Sequence, residues 1–549
     1  MSLPLETMTA AKALVKCLEL ENITTVFGYP GAAICPFYDE LSHSEIEHVL
    51  VRQEANAGHA ASGMARITGR PAVCCATSGP GATNLITAIA TAYMDSIPIV
   101  VITGQVCTDQ IGKDVFQEAD ITGAVEPFVK HSYLVKDAGS LPETVKKAFY
   151  IAATGRPGPV LLDVPFDIQL EEIEFYYPES VEIRGYKPST AGNKLQIKRA
   201  IDALKEAKKP LICAGGGSFN KNAFTLMQEI ARKADIPVVN TMMGISSFPQ
   251  DDPLYYGMIG MHGKPIANRA INECDLLILL GARVNDRAAS QLGLLSKDEN
   301  RLRIIHVDID PAEIGKNIPA TIPIVGDIYT VLEQILEQLP QKSHAEWRAC
   351  LDSGRTIETP TVVAKTDKIN PKTFIQVLNR LIPSDAVIVA DVGQNQIWTS
   401  NNISLGEGGR FITSGGMGTM GYSVPAAIGA KKSAPAREVI AICGDGSFQM
   451  QMMELATAVQ HNINIKIIIM VNNRLGMVRE LQKSKYNNNL TAVFLDGSPD
   501  FLKIAAAYGI NGSCLCDERE SDKALITLLA SKKPYILQVN IDEEVESLL

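Results

Sequence analysis

Two polar residues at the ends of apolar runs carry the clearest chemical signal in this chain. Asp445 stands in the turn Gly444-Asp445-Gly446-Ser447, directly behind the apolar run Val439 to Cys443. Asn472 follows 27 positions later, at the end of a second apolar run, Ile465 to Val471. Runs of this length predict buried parallel strands. Strand, glycine turn, helix and strand make a βαβ unit, which brings both residues to one carboxyl edge of a sheet. A carboxylate and an amide oxygen are hard donors. Such a pair suits Mg²⁺, which binds few protein ligands and completes its shell with phosphate and water. Gly444 and Gly446 allow a tight turn and close approach of a ligand, and Ser447 is a good N-cap for a helix whose N-terminus attracts phosphate. Taken alone, Asp445 reads equally well as a carboxylate capping a helix, and Asn472 as a turn residue.

Glu54 is a second candidate, far away in sequence. It follows the predicted strand Ile46 to Val51, at the carboxyl edge where ligands bind in such sheets, and precedes a helix, Ala55 to Arg66. Ala55, Ala57, Ala60 and Ala61 are small and predict dry surroundings. The alternative is a solvated glutamate at a helix start, favourable to the helix dipole.

The elements that must position these residues alternate helix and strand. Residues 1 to about 170 hold a helix from Thr9 to Leu20 and strands at Thr24–Phe27, Ile46–Val51, Ala72–Thr77, Pro98–Thr103 and Pro159–Val164, with glycine turns at 28–33 and 78–84. The alternation predicts a doubly wound parallel sheet. Residues 171–190 lose periodicity and read as a linker. A second run, 191–340, has strands at 210–217, 236–241, 275–281 and 304–311 and ends in a helix from Ile328 to Leu339. Residues 340 to about 370 read as a second linker, and 370–549 as a third α/β unit containing Asp445 and closing with the strand Tyr535 to Ile541. The first and third units look alike in plan.

Composition excludes several classes. A formal charge of −10 with no basic cluster argues against a nucleic-acid surface. No apolar run reaches the roughly 18 residues of a membrane span, and the N-terminus has no charged leader region. Eleven scattered cysteines, several inside apolar runs, read as buried free thiols of a reducing cytosol, so the expected location is cytoplasmic.

Asp445-to-Asn472 resembles the diphosphate–magnesium motif of thiamine diphosphate (ThDP) enzymes. Along nearly its whole length the chain resembles the large, catalytic subunits of the acetohydroxyacid (acetolactate) synthase family. The matching stretches include VFGYPGAA, RQEANAGHAASGMAR, TSGPGATNL, TGQVCTDQIGKDVFQEADI, GMIGMHG, DVGQNQIW, GGMGTMGYSVPAAIGA and GDGSFQM. The resemblance implies three doubly wound domains of the ThDP-dependent decarboxylase/synthase type. It also implies a site between the first domain of one subunit and the third of its partner in a homodimer or homotetramer. Glu54 would bond the cofactor's aminopyrimidine and promote its imino form, a general acid/base relay carried by the cofactor. Gly31 and Gln117 would face the reacting centre, with Pro30 beside the cofactor. Gly418 and Met420 would meet the pyrimidine. Gly393, Gln394, Asn395, Gly446 and Ser447 would line the diphosphate, and Asp445, Asn472 and a backbone oxygen of Arg474 would hold Mg²⁺. The middle unit resembles the family's FAD domain. There Arg156, Gly215, Gly216, Gly217, Met261, His262, Gly263, Arg283, Asp308 and Asp327 match flavin positions. Arg287 matches the residue that meets the second substrate's carboxylate, for which a planar guanidinium is suited.

The implied reaction joins two pyruvates, or pyruvate and another 2-oxo acid, with release of CO₂, in branched-chain amino-acid biosynthesis. Several positions depart from the family pattern: Ala32, Gln53, Asn395, Val284-Asn285, and Leu481 in place of a Trp expected to set acceptor specificity. The chain also stops soon after its last strand. Three rivals stay open: a flavin-free catabolic synthase, an FAD- and ThDP-dependent pyruvate oxidase, and a non-catalytic subunit of the same fold. Gln117 argues against the oxidase, and Glu54, Asp445 and Asn472 against the non-catalytic subunit. The sequence leaves open whether a regulatory small subunit binds.

Overall fold

The structure is a computed structural model, and it describes residues 6–219, 221–285, 287–288, 302–355 and 368–547. Three six-stranded sheets are present, and every pairing within them is parallel. The first runs Glu47–Leu50, Thr25–Tyr29, Ala72–Ala76, Ile99–Gln105, Val160–Pro165, His131–Leu134 from edge to edge. The third runs Arg410–Ile412, Val387–Ala390, Val439–Gly444, Lys466–Val471, Tyr535–Asn540, Asn511–Leu515. Numbered in chain order within each sheet, both read 2-1-3-4-6-5. The middle sheet, Tyr255–Met258, Val238–Asn240, Pro210–Ala214, Leu276–Leu280, Arg303–Asp308, Ile322–Val325, reads 3-2-1-4-5-6. In such sheets ligands bind beyond the carboxyl ends of the strands, where the order reverses. That point lies after Tyr29 and Ala76 in the first sheet, after Ala390 and Gly444 in the third, and after Ala214 and Leu280 in the middle one.

The first and third sheets share one core. Ala57, Ala60 and Ala61 of the helix Glu54–Thr68 pack with Ala426, Ala427 and Ala430 of the helix Ser423–Ser433. A Cβ on Gly63 would collide with the Ala426 carbonyl, and one on Gly429 with the Ala60 carbonyl. The backbones therefore cross at a distance only glycine permits. The small residues expected to keep Glu54 dry serve this crossing.

Some expectations are corrected. Residues Glu172–Phe175, read as linker, form a strand antiparallel to Glu6–Thr9. The second presumed linker contains the helix Ala345–Arg355, whose buried Trp347 donates its indole N–H to the Pro210 carbonyl at 3.1 Å; residues 356–367 of this stretch lie outside the described residues. Ser447 is not an N-cap. The helix begins at Asp445, and the Ser447 hydroxyl sits in the first turn, accepting the Gly444 N–H at 3.2 Å. All eleven cysteines are free, but Cys35, Cys514 and Cys516 are exposed. Among the described residues no helix is long and apolar enough to cross a membrane.

Candidate active site

The strands Val439–Gly444 and Lys466–Val471 are neighbours in register, Gly444 opposite Met470, so the turns that follow them meet. Asp445 is buried there. Its Oδ1 accepts the Gly446 N–H at 2.9 Å, and its Oδ2 accepts the N–H groups of Asn472 at 3.2 Å and Asn473 at 2.6 Å. Burial pushes its carboxyl up to about 6, against the pull of these donors. Among the described residues no Lys, Arg or His forms an ion pair with Asp445. A buried carboxylate held by dipoles alone is a fit place for a cation. Among the described residues no group of three His, Cys, Asp or Glu is placed to hold a metal ion; one carboxylate with an amide oxygen and backbone carbonyls is a set of hard donors of the kind that suits Mg²⁺ when phosphate completes the shell. The Arg474 side chain turns to Glu544 at 3.1 Å, leaving only its backbone for the cation.

Asp391, which sequence reasoning passed over, organises the turns around this point. Its buried carboxylate accepts N–H groups from Val392, Gly421 and Ser423, each at 2.9 Å. It thereby folds the loop of Gly418 (φ +71°) and Met420 over the Asp445 turn, where a Cβ on Gly446 would lie 3.7 Å from the Met420 Cε. Gly393 has φ +143°, a conformation open to glycine. Asn395 spends its amide N–H groups on the Asp391 and Ile442 carbonyls at 2.8 and 3.2 Å. Gln394 accepts the Asn472 side-chain N–H at 3.2 Å.

The matching edge of the first sheet gathers Glu54, Gly31 and Gln117. Glu54 is half-buried at the start of its helix, and its Oε2 accepts the Asn84 Nδ2–H at 2.9 Å. A Cβ on Gly81 would lie 3.6 Å from Glu54 Oε1, and a Cβ on Gly31 would lie 2.5 Å from the Thr77 side chain. Pro30 adjoins Gly31 on this edge. Gln117 has φ +60°, and a Cβ on Gly79 would meet its backbone at 2.9 Å. The Gln117 segment is anchored by Gln105, whose Nε2 donates to the Ala119 carbonyl at 2.8 Å and to Asp163 at 2.9 Å. Behind Glu54, the fully buried Glu454 of the third unit accepts the Arg52 N–H and the Asn56 Nδ2–H, both at 2.8 Å. Asn84 and Glu454 carried no signal in sequence, because each acts through a partner distant along the chain.

A cavity of about 1010 Å³ opens at the middle sheet's reversal point, walled by all three units. Arg156, Gly216, Gly217, His262, Arg283, Arg287, Asp308, Asp327 and Gly418 all line it. Arg156 bonds Ser96 Oγ and Glu313, both at 2.9 Å, and Arg283 donates to the Met94 carbonyl. Burial raises the Asp308 carboxyl to about 6. Asp327 caps the helix Ile328–Leu336 through the Thr330 N–H at 3.2 Å. Gly215, Met261 and Gly263 are not in the lining. Gly215 and Gly263 sit where other backbone passes too close for a Cβ, and Met261 is exposed. Several guanidinium groups around a volume of this size fit a dinucleotide's diphosphate. Val284 is buried, Asn285 accepts the Ala288 N–H at 3.0 Å, and Leu481 is 45% exposed on the helix Gly476–Lys485.

Family models match three stretches: the thiamine pyrophosphate enzyme N-terminal TPP-binding domain at 8–124, the central domain at 197–335 and the C-terminal TPP-binding domain at 391–539. A probable acetolactate synthase large subunit of Methanocaldococcus jannaschii is 43% identical over 547 residues, covering 97% of this chain and 92% of the relative. The chain belongs to the acetolactate synthase large-subunit family of ThDP enzymes. The acetolactate synthase isozyme 3 large subunit of Escherichia coli is 41% identical over 531 residues, with 95% and 92% covered. The acetolactate synthase large subunit of Haemophilus influenzae is 40% identical over 555 residues, with 98% and 95% covered. The two sheets that share the 2-1-3-4-6-5 order are thus those of the TPP-binding domains, and thiamine diphosphate is the cofactor they are built for.

Proposed function

We propose that this chain is the catalytic subunit of an acetolactate synthase, joining two pyruvate anions and one proton into 2-acetolactate and CO₂ in branched-chain amino-acid biosynthesis. The carrying observation is the buried Asp445, held by backbone N–H groups beside Asn472, in a chain whose Glu54 occupies the corresponding edge of the like-ordered sheet. Bound thiamine diphosphate supplies a nucleophilic carbon and an electron sink for the decarboxylation. Asp445, Asn472 and the Arg474 carbonyl hold Mg²⁺ against its diphosphate, which Gly393, Gln394, Asn395, Gly446 and Ser447 line. Gly418 and Met420 pack its pyrimidine, and Glu54 holds a proton at the pyrimidine ring. Gly31 and Gln117 line the reacting centre, and Arg287 takes the carboxylate of the acceptor 2-oxo acid. FAD occupies the cavity lined by Arg156, Gly216, Asp308 and Asp327 as a structural group, not an electron carrier.

The same proposal divides the chain into units at 1–170, 191–340 and 370–549. It places the enzyme in the cytoplasm as a homo-oligomer whose site is completed between subunits, with a smaller regulatory subunit as partner. The test is product analysis after pyruvate is given to purified protein with ThDP and Mg²⁺, with and without FAD. Acetolactate and CO₂ in equal amounts are expected, with no reduction of flavin. Acetate with reduced flavin identifies an oxidase, and tight ThDP binding with no turnover of any 2-oxo acid identifies a non-catalytic subunit.

A further inference from the structure

The helix Gly476–Lys485 follows the Asn472 turn and carries one buried acid, Glu480. Among the described residues three groups donate to its carboxylate and none accepts from it. Gln394 Nε2 donates to Oε1 at 2.5 Å, the Ser547 backbone N–H to Oε1 at 2.5 Å and the Ser547 hydroxyl to Oε2 at 2.6 Å. The other end of the Gln394 amide, Oε1, accepts the Asn472 Nδ2–H at 3.2 Å. An ionised carboxylate can only accept, whereas the two ends of an amide differ and can be exchanged by a flip. Facing Glu480, Gln394 must present its NH₂ group there and its oxygen to Asn472. Facing that oxygen, Asn472 must present its NH₂ group, and its own Oδ1, on the side of Asp445, accepts the Arg474 N–H at 3.1 Å.

We infer that Glu480 is a positioning residue for the cation site, setting through Gln394 which end of the Asn472 amide faces the metal. The inference rests on the reading of Asp445 and Asn472 as cation ligands. Without an acceptor at 480 the Gln394 amide is free to flip and set its NH₂ against the Asn472 NH₂, leaving the Arg474 N–H alone to hold the Asn472 oxygen in place. The end of the chain takes part: Ser547 fastens Glu480 from the side opposite Gln394. Gly476 makes room for the relay, because a Cβ there would collide with Gln394 Oε1.

The test measures Mg²⁺ affinity calorimetrically, at saturating ThDP, in the full-length protein. The variants are Glu480→Met, Glu480→Gln, Gln394→Met and the double variant Glu480→Met/Gln394→Met. Glu480→Met should weaken Mg²⁺ binding about 10–100-fold, the range for groups that orient metal ligands. Glu480→Gln keeps an oxygen for Gln394 and should retain parental affinity. Gln394→Met should lose affinity like Glu480→Met, and the double variant should be no worse than the weaker single, since both cut one relay. Parental affinity in Glu480→Met, additive losses in the double variant, or a Glu480→Gln as weak as Glu480→Met each overturn the proposal. Should Glu480→Met fail to fold, parental affinity in Gln394→Met overturns it alone. Asn472→Ala separates the two levels: if it binds Mg²⁺ as the parent does, the cation site itself is misplaced, whatever the Glu480 variants do.

Discussion

At the scale of single residues, the candidate site depends on protons and on one apolar wall. Glu54→Gln keeps an oxygen for Asn84 and the helix start, so fold and most ThDP affinity should survive. Turnover should fall about a hundredfold to ten-thousandfold, the contribution of a positioned acid/base group. Steady-state rates at saturating pyruvate decide it, and a variant within twofold of the parent removes Glu54 from the chemistry. Leu481 is half-exposed on its helix and offers no flat ring, so the parent should discriminate weakly between pyruvate and 2-oxobutanoate as acceptor. One methylene against a shaped wall is worth about 1–3 kcal/mol, or roughly 10–200-fold. Leu481→Trp should therefore gain preference for 2-oxobutanoate in equimolar competition, and a variant with an unchanged product ratio shows that Leu481 does not set specificity. Asp445 and Asn472 were readable in sequence because two adjacent apolar strands deliver them to one edge. Asp391, Glu454 and Glu480 were not. Each is an acid whose meaning lies in donors contributed by distant segments, such as Arg52 for Glu454 and Ser547 for Glu480.

At the scale of elements, glycine decides how closely the helices Glu54–Thr68 and Ser423–Ser433 approach. Gly63→Ala and Gly429→Ala each place a methyl against a backbone carbonyl that cannot move aside, so each should lower the apparent melting temperature and the yield of folded protein. Gly497→Ala is the control, since a Cβ there meets nothing within 4 Å; equal effects at 63 and 497 would remove the argument. Asp163 tests the element that anchors Gln117. Burial pushes its carboxyl up to about 7, against hydrogen bonds from Thr103 and Gln105. A raised acid stabilises the fold fully below its unfolded value near 4 and loses that contribution as pH rises through 7. The melting temperature of the parent minus that of Asp163→Asn should thus shrink from pH 4 to 7 and level off above. A difference that grows with pH contradicts this. Most central strands were legible as apolar runs, although the wholly buried Val387–Ala390 was not singled out. The edge strands His131–Leu134 and Asn511–Leu515 were not, because they carry no apolar run and of their residues only Leu515 is buried. Glu172–Phe175 was read as linker because its alternation of charge with Ile and Phe only acquires meaning beside Glu6–Thr9.

At the scale of the whole molecule, the three sheets are not independent. The first and third share a core, and the cavity of about 1010 Å³ is walled by Arg156 beyond the first sheet, Gly216 and Asp308 of the middle unit, and Gln396 and Gly416 of the third. A ligand filling that space touches every unit and resists their separation. Binding confined to the folded state stabilises by RT ln(1 + [L]/Kd), about 2.7 kcal/mol at a hundredfold excess over Kd. FAD added to cofactor-stripped protein should therefore raise the unfolding temperature of the chain as one transition, not of the middle unit alone. Arg156→Ala removes the guanidinium that reaches Ser96 and Glu313 across the cavity wall, so the same FAD concentration should give a smaller shift. Scanning calorimetry with and without FAD reads both effects. A thermogram in which only one component moves would confine the flavin to the middle unit. An unmoved thermogram, with fully active colourless protein, would assign the cavity to something other than FAD and place this chain beside synthases that work without flavin.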